Sequence, residues 1–503
     1  MKKYIFTVSL FLLIGMVSCD LDKDPYSEIT DNNYPGAGSG TKEYTTAQAV
    51  EGLLTDAYTD FASEFWQLDI YLMNEGQSDN AYAGESKEQT MQLDEFRVTA
   101  TNGTVKRDWS YLYKHITKTN SILKWAPLIQ DPALTENRRK EIIAEASFMR
   151  AICYFNLVRI YGDVPLSLEE IPEITADNIE ELRPLIFPAR TSQDKIYEQI
   201  LADMDVATKN APDYSSNKFK ITKALANLIM AQVHATKDGF ENTNWENVRT
   251  YASAVVSDTR YGLLTNYDDV FAIEGNPAPS GNLPTASLKN PDSKESLFEV
   301  HYTSWNALGN WAAQMFYGLD WKKFNTPSHD LRKAFTEAKD SIRSQSSIVY
   351  LNVTGSWSDQ YWPQGSYPFC YKLRAQEKTN IVLFRLPEAI LLLAEAENEL
   401  NNLSEAQRLL NIVRKRVKQN DTSADTKEKM RLAIEKEHRL EFAFEGKRWF
   451  DLKRRGRFIQ VMKSCTDQQK GYADTYLNNN RLLWPIPQDE RDINENLTQN
   501  AGY

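Results

Sequence analysis

The chain has 503 residues, 42% of them hydrophobic, enough for a large core and one to three domains. Its formal charge is −11, which argues against nucleic acid and against electrostatic membrane attachment, since both need clustered Lys and Arg. Of the four cysteines, Cys153, Cys370 and Cys465 are widely spaced and form neither a disulfide framework nor a metal motif.

Lys2 and Lys3 open the chain, an apolar run follows from Tyr4 to Val17, and Val17-Ser18-Cys19 supplies small residues where a signal is cut. The run is shorter than the roughly 20 residues that span a bilayer, so residues 1–18 read as a secretory signal rather than a membrane helix. A cysteine directly after the small residue predicts lipidation at Cys19. The plainer reading is a secretory signal with an incidental cysteine, and Met16 stands where leucine is commoner. Residues 19–44 carry Asp20, Asp22, Asp24, Pro25 and a Gly/Pro/Asn-rich stretch, and are expected to form a tether. Signal removal takes away Lys2 and Lys3 and no acid, leaving the body more acidic. No later segment is long and apolar enough to span a membrane.

From residue 45 to about 260 helical periodicity dominates, with predicted helices over 47–65, 106–125, 138–161, 192–209, 222–237 and 244–257. Three more are predicted over 387–400, 404–418 and 426–455. Helices of about 15 to 20 residues in antiparallel succession predict an all-α-dominated fold of stacked helix pairs, as in tetratricopeptide arrays. No strict 34-residue repeat is visible, so the array is a degenerate one. Between the two helical regions, residues 261–385 are rich in Pro, Gly, Ser and Asn, and hold Trp305, Trp311, Trp321, Trp357 and Trp362. Loops this long inside a compact protein are usually functional.

The run Glu145-Ala-Ser-Phe-Met-Arg-Ala-Ile-Cys-Tyr-Phe-Asn-Leu-Val-Arg-Ile-Tyr-Gly-Asp-Val-Pro-Leu166 resembles the signature of the SusD/RagB family. Trp109-Ser-Tyr-Leu-Tyr113 with Asn120, the run from Glu437 to Arg455, and the closing Leu483-Trp-Pro-Ile-Pro487 through Asn494, Asn500 and Tyr503 extend the resemblance in order along the chain. It implies a lipoprotein of Bacteroidetes-type outer membranes facing the cell exterior. The implied body is four degenerate tetratricopeptide-like helix pairs packed against a loop-rich ligand-binding part. The acids after Cys19 resemble the family's surface-export signal. The implied cargo is most often an oligosaccharide and in some members a peptide. The implied partner is a SusC-like TonB-dependent barrel over which the lipoprotein sits as a lid, with no catalysis. On that reading 45–260 is the N-terminal helical region and 261–503 the C-terminal one, of which 386–503 holds the closing helices.

Indole planes match the apolar C–H faces of sugar rings, so Trp305, Trp311, Tyr317, Trp321, Trp357 and Trp362 are candidate ligand contacts; the plainer reading is that large aromatics are core. A second patch, with Asp79, Asn80 and Tyr82, resembles a loop where family members place ligand contacts. Glu437, Glu441 and Glu445 recur every four residues on one helix face, and paired carboxylates could serve a glycosidase. Ion pairing with Arg448, Arg150 or Arg439 is the expected role instead. The five histidines lack metal-ligand spacing, and no metal or cofactor is expected; oxygens around Asp79 or Asp268-Asp269 offer calcium a weaker alternative. Gly446-Lys447 lacks the other residues of a phosphate-binding loop. A lipid-anchored helical scaffold that binds no nutrient is the remaining competing reading.

Overall fold

The computed structural model describes residues 44–503, apart from 85–87, 276, 281, 304–308, 318–322, 355–358 and 468–469. Ten helices build the array. They are α1 (Ala47–Thr59), α2 (Gly103–Trp125), α3 (Glu136–Tyr161), α4 (Gln193–Asn210), α5 (Lys223–His234), α6 (Trp245–Val256), α7 (Leu386–Glu399), α8 (Leu403–Arg416), α9 (Lys427–Glu441) and α10 (Arg448–Arg454). Their starts are written in the sequence: Thr46, Asn102, Thr135, Thr222, Asn244 and Thr426 each accept a hydrogen bond from the first helical turn. Gly162, at φ +78°, ends α3 in a conformation that a Cβ would strain.

Each helix from α1 to α7 packs on the next, and α7 also packs on α8 and α9. This is the helix-dominated, stacked-pair architecture expected from the periodicity. Two helices are buried almost all round: α3 from Ala144 to Val158, and α7 along its whole length. A helix buried on every side belongs at the centre of a large core, its buried charges paired as Arg150 is with Asp203 and Glu395 with Arg454, and α1, α2, α4, α5 and α6 wrap these two. Tyr58 on α1 knots the array together, its hydroxyl donating to Glu145 on α3 (2.6 Å) and accepting from the backbone N–H of Ile221 (2.9 Å). The C-terminal segment closes the far end of α3. There the N–H of Trp484 donates to the carbonyl of Ile160, and the Asn500 amide donates to those of Tyr161 and Trp484.

The expected helix over 426–455 is instead two. Phe444 and Gly446 both have positive φ (63° and 71°), and the chain turns there between α9 and α10. Gly446 lies against the carbonyl of Ile70, so a Cβ there would meet backbone at 3.3 Å. The expected helix over 47–65 likewise stops at Thr59 and gives way to short 3₁₀ and π turns.

The chain between α6 and α7 leaves the array and returns to it, while α6 and α7 pack directly on each other. Among the described residues its strands form three small antiparallel ribbons: β3 (Thr326–Pro327) pairs with β1 (Ala81–Tyr82) from the chain between α1 and α2, β2 (Ser296–Val300) with β6 (Ile381–Arg385), and β4 (Ile348–Leu351) with β5 (Tyr367–Cys370). Cys153, Cys370 and Cys465 are free thiols, and burial pushes Cys370 and Cys465 up to about 12, so neither is a ready nucleophile. Among the described residues no helix is long and apolar enough to cross a membrane.

Candidate functional site

The three-glutamate face of α9 and its extension is buried inside a salt-bridge network. Glu437 meets Arg343 (2.7 Å) and Arg414 (2.8 Å). Glu441 meets Arg343 (3.1 Å), Arg385 (2.5 Å) and Arg416. Glu445 meets Lys372 (2.6 Å) and Arg385 (2.7 Å). Ion pairing was expected, but with other arginines. In the structure Arg150 pairs with Asp203, while Arg439 and Arg448 pair with Asp79. Burial alone would raise Glu441, yet Arg416, Arg385 and Arg343 hold it far below the carboxylate range, and Glu445 is lowered by Arg385 and Lys372. A glycosidase acid needs the opposite shift. These carboxylates hold the fold together.

Asp79 and Asn80 are placed inside by the same closing motif. Arg448 grips Asp79 with two bonds (2.8 and 2.9 Å), and Arg439 adds a third contact at 3.2 Å. Burial would raise Asp79, but the two guanidiniums keep it ionised. Asn80 accepts from Arg439 and donates to Glu75, both at 2.9 Å. Asp79 is 2% exposed and Asn80 fully buried, so both side chains are engaged within the protein. Asp79 nevertheless forms a wall of an open pocket of about 280 Å³, shared with Asp330, Glu435 and Arg457.

The ribbons carry an aromatic layer in which Tyr82, Tyr317, Val353, Trp362, Tyr367 and Phe369 form a buried cluster. Asp359 anchors it, accepting from the hydroxyls of Tyr82 (2.5 Å) and Tyr367 (2.7 Å) and from the N–H of Tyr361 (2.8 Å). Burial and this carboxylate push both tyrosines up, so they remain neutral donors. Trp362 stacks on His329 at 3.8 Å and donates its Nε1–H to the carbonyl of Pro327 (3.0 Å). Tyr317 donates to the carbonyl of Ser280 (2.6 Å). Of the expected contacts, Tyr82, Tyr317 and Trp362 thus form the inner layer, at 1%, 2% and 6% exposure. Trp311 is half-buried against the main core. Trp305, Trp321, Trp357 and Cys19 lie outside the described residues.

Against the inner layer, among the described residues, lie further rings, which are tyrosines. Tyr361 stands edge-on to Tyr82 at 5.6 Å, and Tyr350 edge-on to Trp362 at 6.1 Å. Tyr472 and Tyr476, one helical turn apart, are each 38% exposed, with rings 6.1 Å apart and 20° from parallel. A hydrogen bond to Glu95 raises Tyr472, and nearby Tyr361 adds to the effect. The result is a partly exposed aromatic surface with charged groups such as Glu95 and Arg97 beside it. The sequence reading missed Tyr472 and Tyr476 because their segment lies far along the chain from the tryptophan-rich loops; only the Tyr-x-x-x-Tyr spacing, which puts two rings on one face of a helical turn, hinted at them.

For cations the acids around Asp79 and Asp268 are poor hosts, since Asp79 holds two arginines and Asp268 is held by Arg374 and Ser346. The described residues that do bring three ligand types together are Asp292, Glu299 and His301, within 4.8 Å of one another. There Glu299 already accepts from Ser296 (2.5 Å) and from the N–H of Asp292 (3.0 Å), and Asp292 already contacts His301 (3.0 Å).

Fold and surface together define a stacked-helix protein with a long loop insertion and a partly exposed aromatic face. The chain belongs to the SusD/RagB family. A SusD family profile matches residues 315–503, and a profile described as "Starch-binding associating with outer membrane" matches residues 21–235. A SusD-like protein, P2, of Formosa agariphila is 26% identical over the full length of both chains. A SusD homolog from Bacteroides thetaiotaomicron superposes with a TM-score of 0.76 at 20% identity, covering 92% of this chain and 98% of that one. A laminarin-binding SusD-like protein superposes with a TM-score of 0.70 at 21% identity, covering 92% of this chain and all of that one.

Proposed function

We propose that the protein is a cell-surface lipoprotein, anchored in the outer membrane through Cys19, that binds an oligosaccharide and delivers it to a SusC-like TonB-dependent barrel as its lid. The partly exposed tyrosine layer of Tyr350, Tyr361, Tyr472 and Tyr476 carries this reading. Sugar rings stack on such planes through their C–H faces, and adjacent charged groups read the hydroxyls. The description of the matching family as starch-binding and the laminarin-binding neighbour support the choice of cargo. Trp305, Trp311, Trp321 and Trp357 complete the ligand surface, while Tyr82, Tyr317 and Trp362 back it from beneath and Asp79 and Asn80 brace the loop beside it. Residues 1–18 are the signal and 19–44 the tether that lets the lid swing. Binding leaves the glycan chain length unchanged.

Calorimetry against a glycan panel tests this, with Tyr361→Ala and Tyr472→Ala alongside. Saturable binding that weakens in both variants is expected. No binding to any glycan overturns the reading, and binding to peptides alone replaces the cargo. Pull-down from membranes should bring a barrel transporter with the wild-type chain.

A further inference from the structure

The two densest motifs, Glu145–Leu166 and Glu437–Arg455, meet around a partly enclosed cavity of about 80 Å³ between α3, α5, α7 and α10. That is room for several waters or one small ligand group. Much of its wall is apolar, with Ile152, Phe155, Ile229, Leu391 and Phe450. Its charged lining is paired group by group. Lys447 meets Glu388 at 3.2 Å, and Arg454 and Arg455 share Asp451 at 2.6 and 3.0 Å. Glu445 has Lys372 and Arg385. Burial lowers His438 to about 4, so it is neutral at pH 7.

Arg159 is the exception. Among the described residues no carboxylate lies within ion-pair distance of it. Its guanidinium is sandwiched between the rings of Phe155 and Phe450, at 3.8 and 3.9 Å. Nε donates to the carbonyl of Phe155 (3.1 Å) and Nη2 to Asn156 Oδ1 (2.6 Å), which leaves the Nη1 side of the fork open. Lys453 sits behind it, donating to the Arg159 carbonyl (2.6 Å) and lying over Trp449, also without an acid. Burial lowers Arg159 to about 9 and Lys453 to about 7. Both cations complement the C-terminal end of α3, but a helix end supplies only partial charge and leaves the planar fork unmatched. Buried arginines elsewhere in this protein, such as Arg343, Arg385 and Arg448, each meet a full carboxylate.

We propose that this cavity binds a small monocarboxylate with an apolar body, its carboxylate on the open edge of Arg159 and its body against Phe155, Phe450 and Ile229. The planar fork matches a carboxylate in two-bond geometry, and the lining's single excess cation favours a monoanion over a dianion. Arg159, Gln232 and Thr236, all half-buried, give the ligand its way in. The site is separate from the tyrosine face and independent of what that face binds.

The test titrates the purified chain at pH 7.5 with benzoate and butyrate, and with benzamide and butyramide as uncharged counterparts, by calorimetry. One acid should bind saturably at one site, with its amide at least about tenfold weaker. Arg159→Gln should weaken the acid by at least about tenfold, and Arg159→Lys should restore part of the loss. No saturable binding of either acid, equal binding of acid and amide, or unchanged affinity in Arg159→Gln overturns the proposal. If Arg159→Gln fails to fold, Thr236→Phe decides, because it fills the cavity and keeps Arg159: lost binding supports the site, and unchanged binding overturns it.

Discussion

Replacing Glu441 with Gln removes one charge from the buried network and leaves its shape. Glu441 is fully buried and touches three guanidiniums, of which Arg343 and Arg385 have side chains no more than 1% exposed. Breaking a buried pair by removing one partner costs about 3–5 kcal/mol, because the surviving charge stays out of water. At about 2 cal/mol/K of unfolding entropy per residue, a body of this length loses roughly one degree of Tm per kcal/mol, so a drop of about 3–5 °C is expected. Glu405→Gln is the control. Glu405 pairs with Arg408 three residues on, on an exposed face of α8, and such a pair contributes at most about 0.5 kcal/mol. Differential scanning calorimetry of both variants, with glycan affinity measured in parallel, decides the matter. Glu441→Gln melting within a degree of Glu405→Gln would refute the network argument. Product formation from a glycan by the wild type that disappears in Glu441→Gln without loss of Tm would make the residue catalytic instead.

Gly446→Ala should destabilise by about 1–2 kcal/mol, since its positive φ and the carbonyl of Ile70 at 3.3 Å both oppose a Cβ; a melt equal to wild type refutes the turn. Trp362→Phe keeps the stack on His329 and loses the bond to Pro327, costing about 1 kcal/mol in chemical denaturation and weakening glycan affinity only through the layer above it. Asp79, Glu441, Glu445 and Asp451 all have folded pKa values below their unfolded ones. Their contribution is therefore complete above about pH 4 to 5 and is lost as pH falls toward the folded values, so Tm should decline steeply from pH 5 to pH 3. A flat profile over that interval contradicts the assignment.

The helices were legible because their periodicity is local. Caps such as Thr135 and Thr426 sit in the sequence beside the turns they satisfy, and Gly162 marks its own stop. The break between α9 and α10 was hidden by a charged pattern that runs on through it; Gly446 was the signal, and it was read as a failed phosphate loop. The partners of Glu441 were illegible for a different reason. Arg343, Arg385 and Arg416 are separated from it by 98, 56 and 25 residues, and nothing in a helix face says which distant cation will meet it. The candidate site divides the same way. Aromatic content pointed to the loop region, but whether a ring lies in the inner or outer layer depends on Asp359, His329 and the ribbon register, which only the fold sets.

The junction between α6 and α7 separates the helical array from the aromatic face. Because these two helices pack on each other directly, the array is continuous without the loops between them, and a change at Tyr350 or Tyr361 leaves its core contacts intact. The inner layer is not so free. Tyr82 belongs to the segment that follows Asp79, and Asp79 is clamped by Arg439 and Arg448 from the closing motif. The aromatic face is thus mounted on the array at a charged buried clamp, where two arginines converge on one carboxylate. Substitution of the outer tyrosines should therefore change affinity with little change in melting, whereas Arg448→Met should lower both. Arg448→Met would leave Asp79 buried with one weaker partner and release the strand that carries Tyr82, at a cost of about 3 kcal/mol or more. Melting curves and glycan affinities of Tyr361→Ala and Arg448→Met separate the two cases, and an Arg448→Met variant that loses stability yet keeps full glycan affinity would disconnect the face from the clamp.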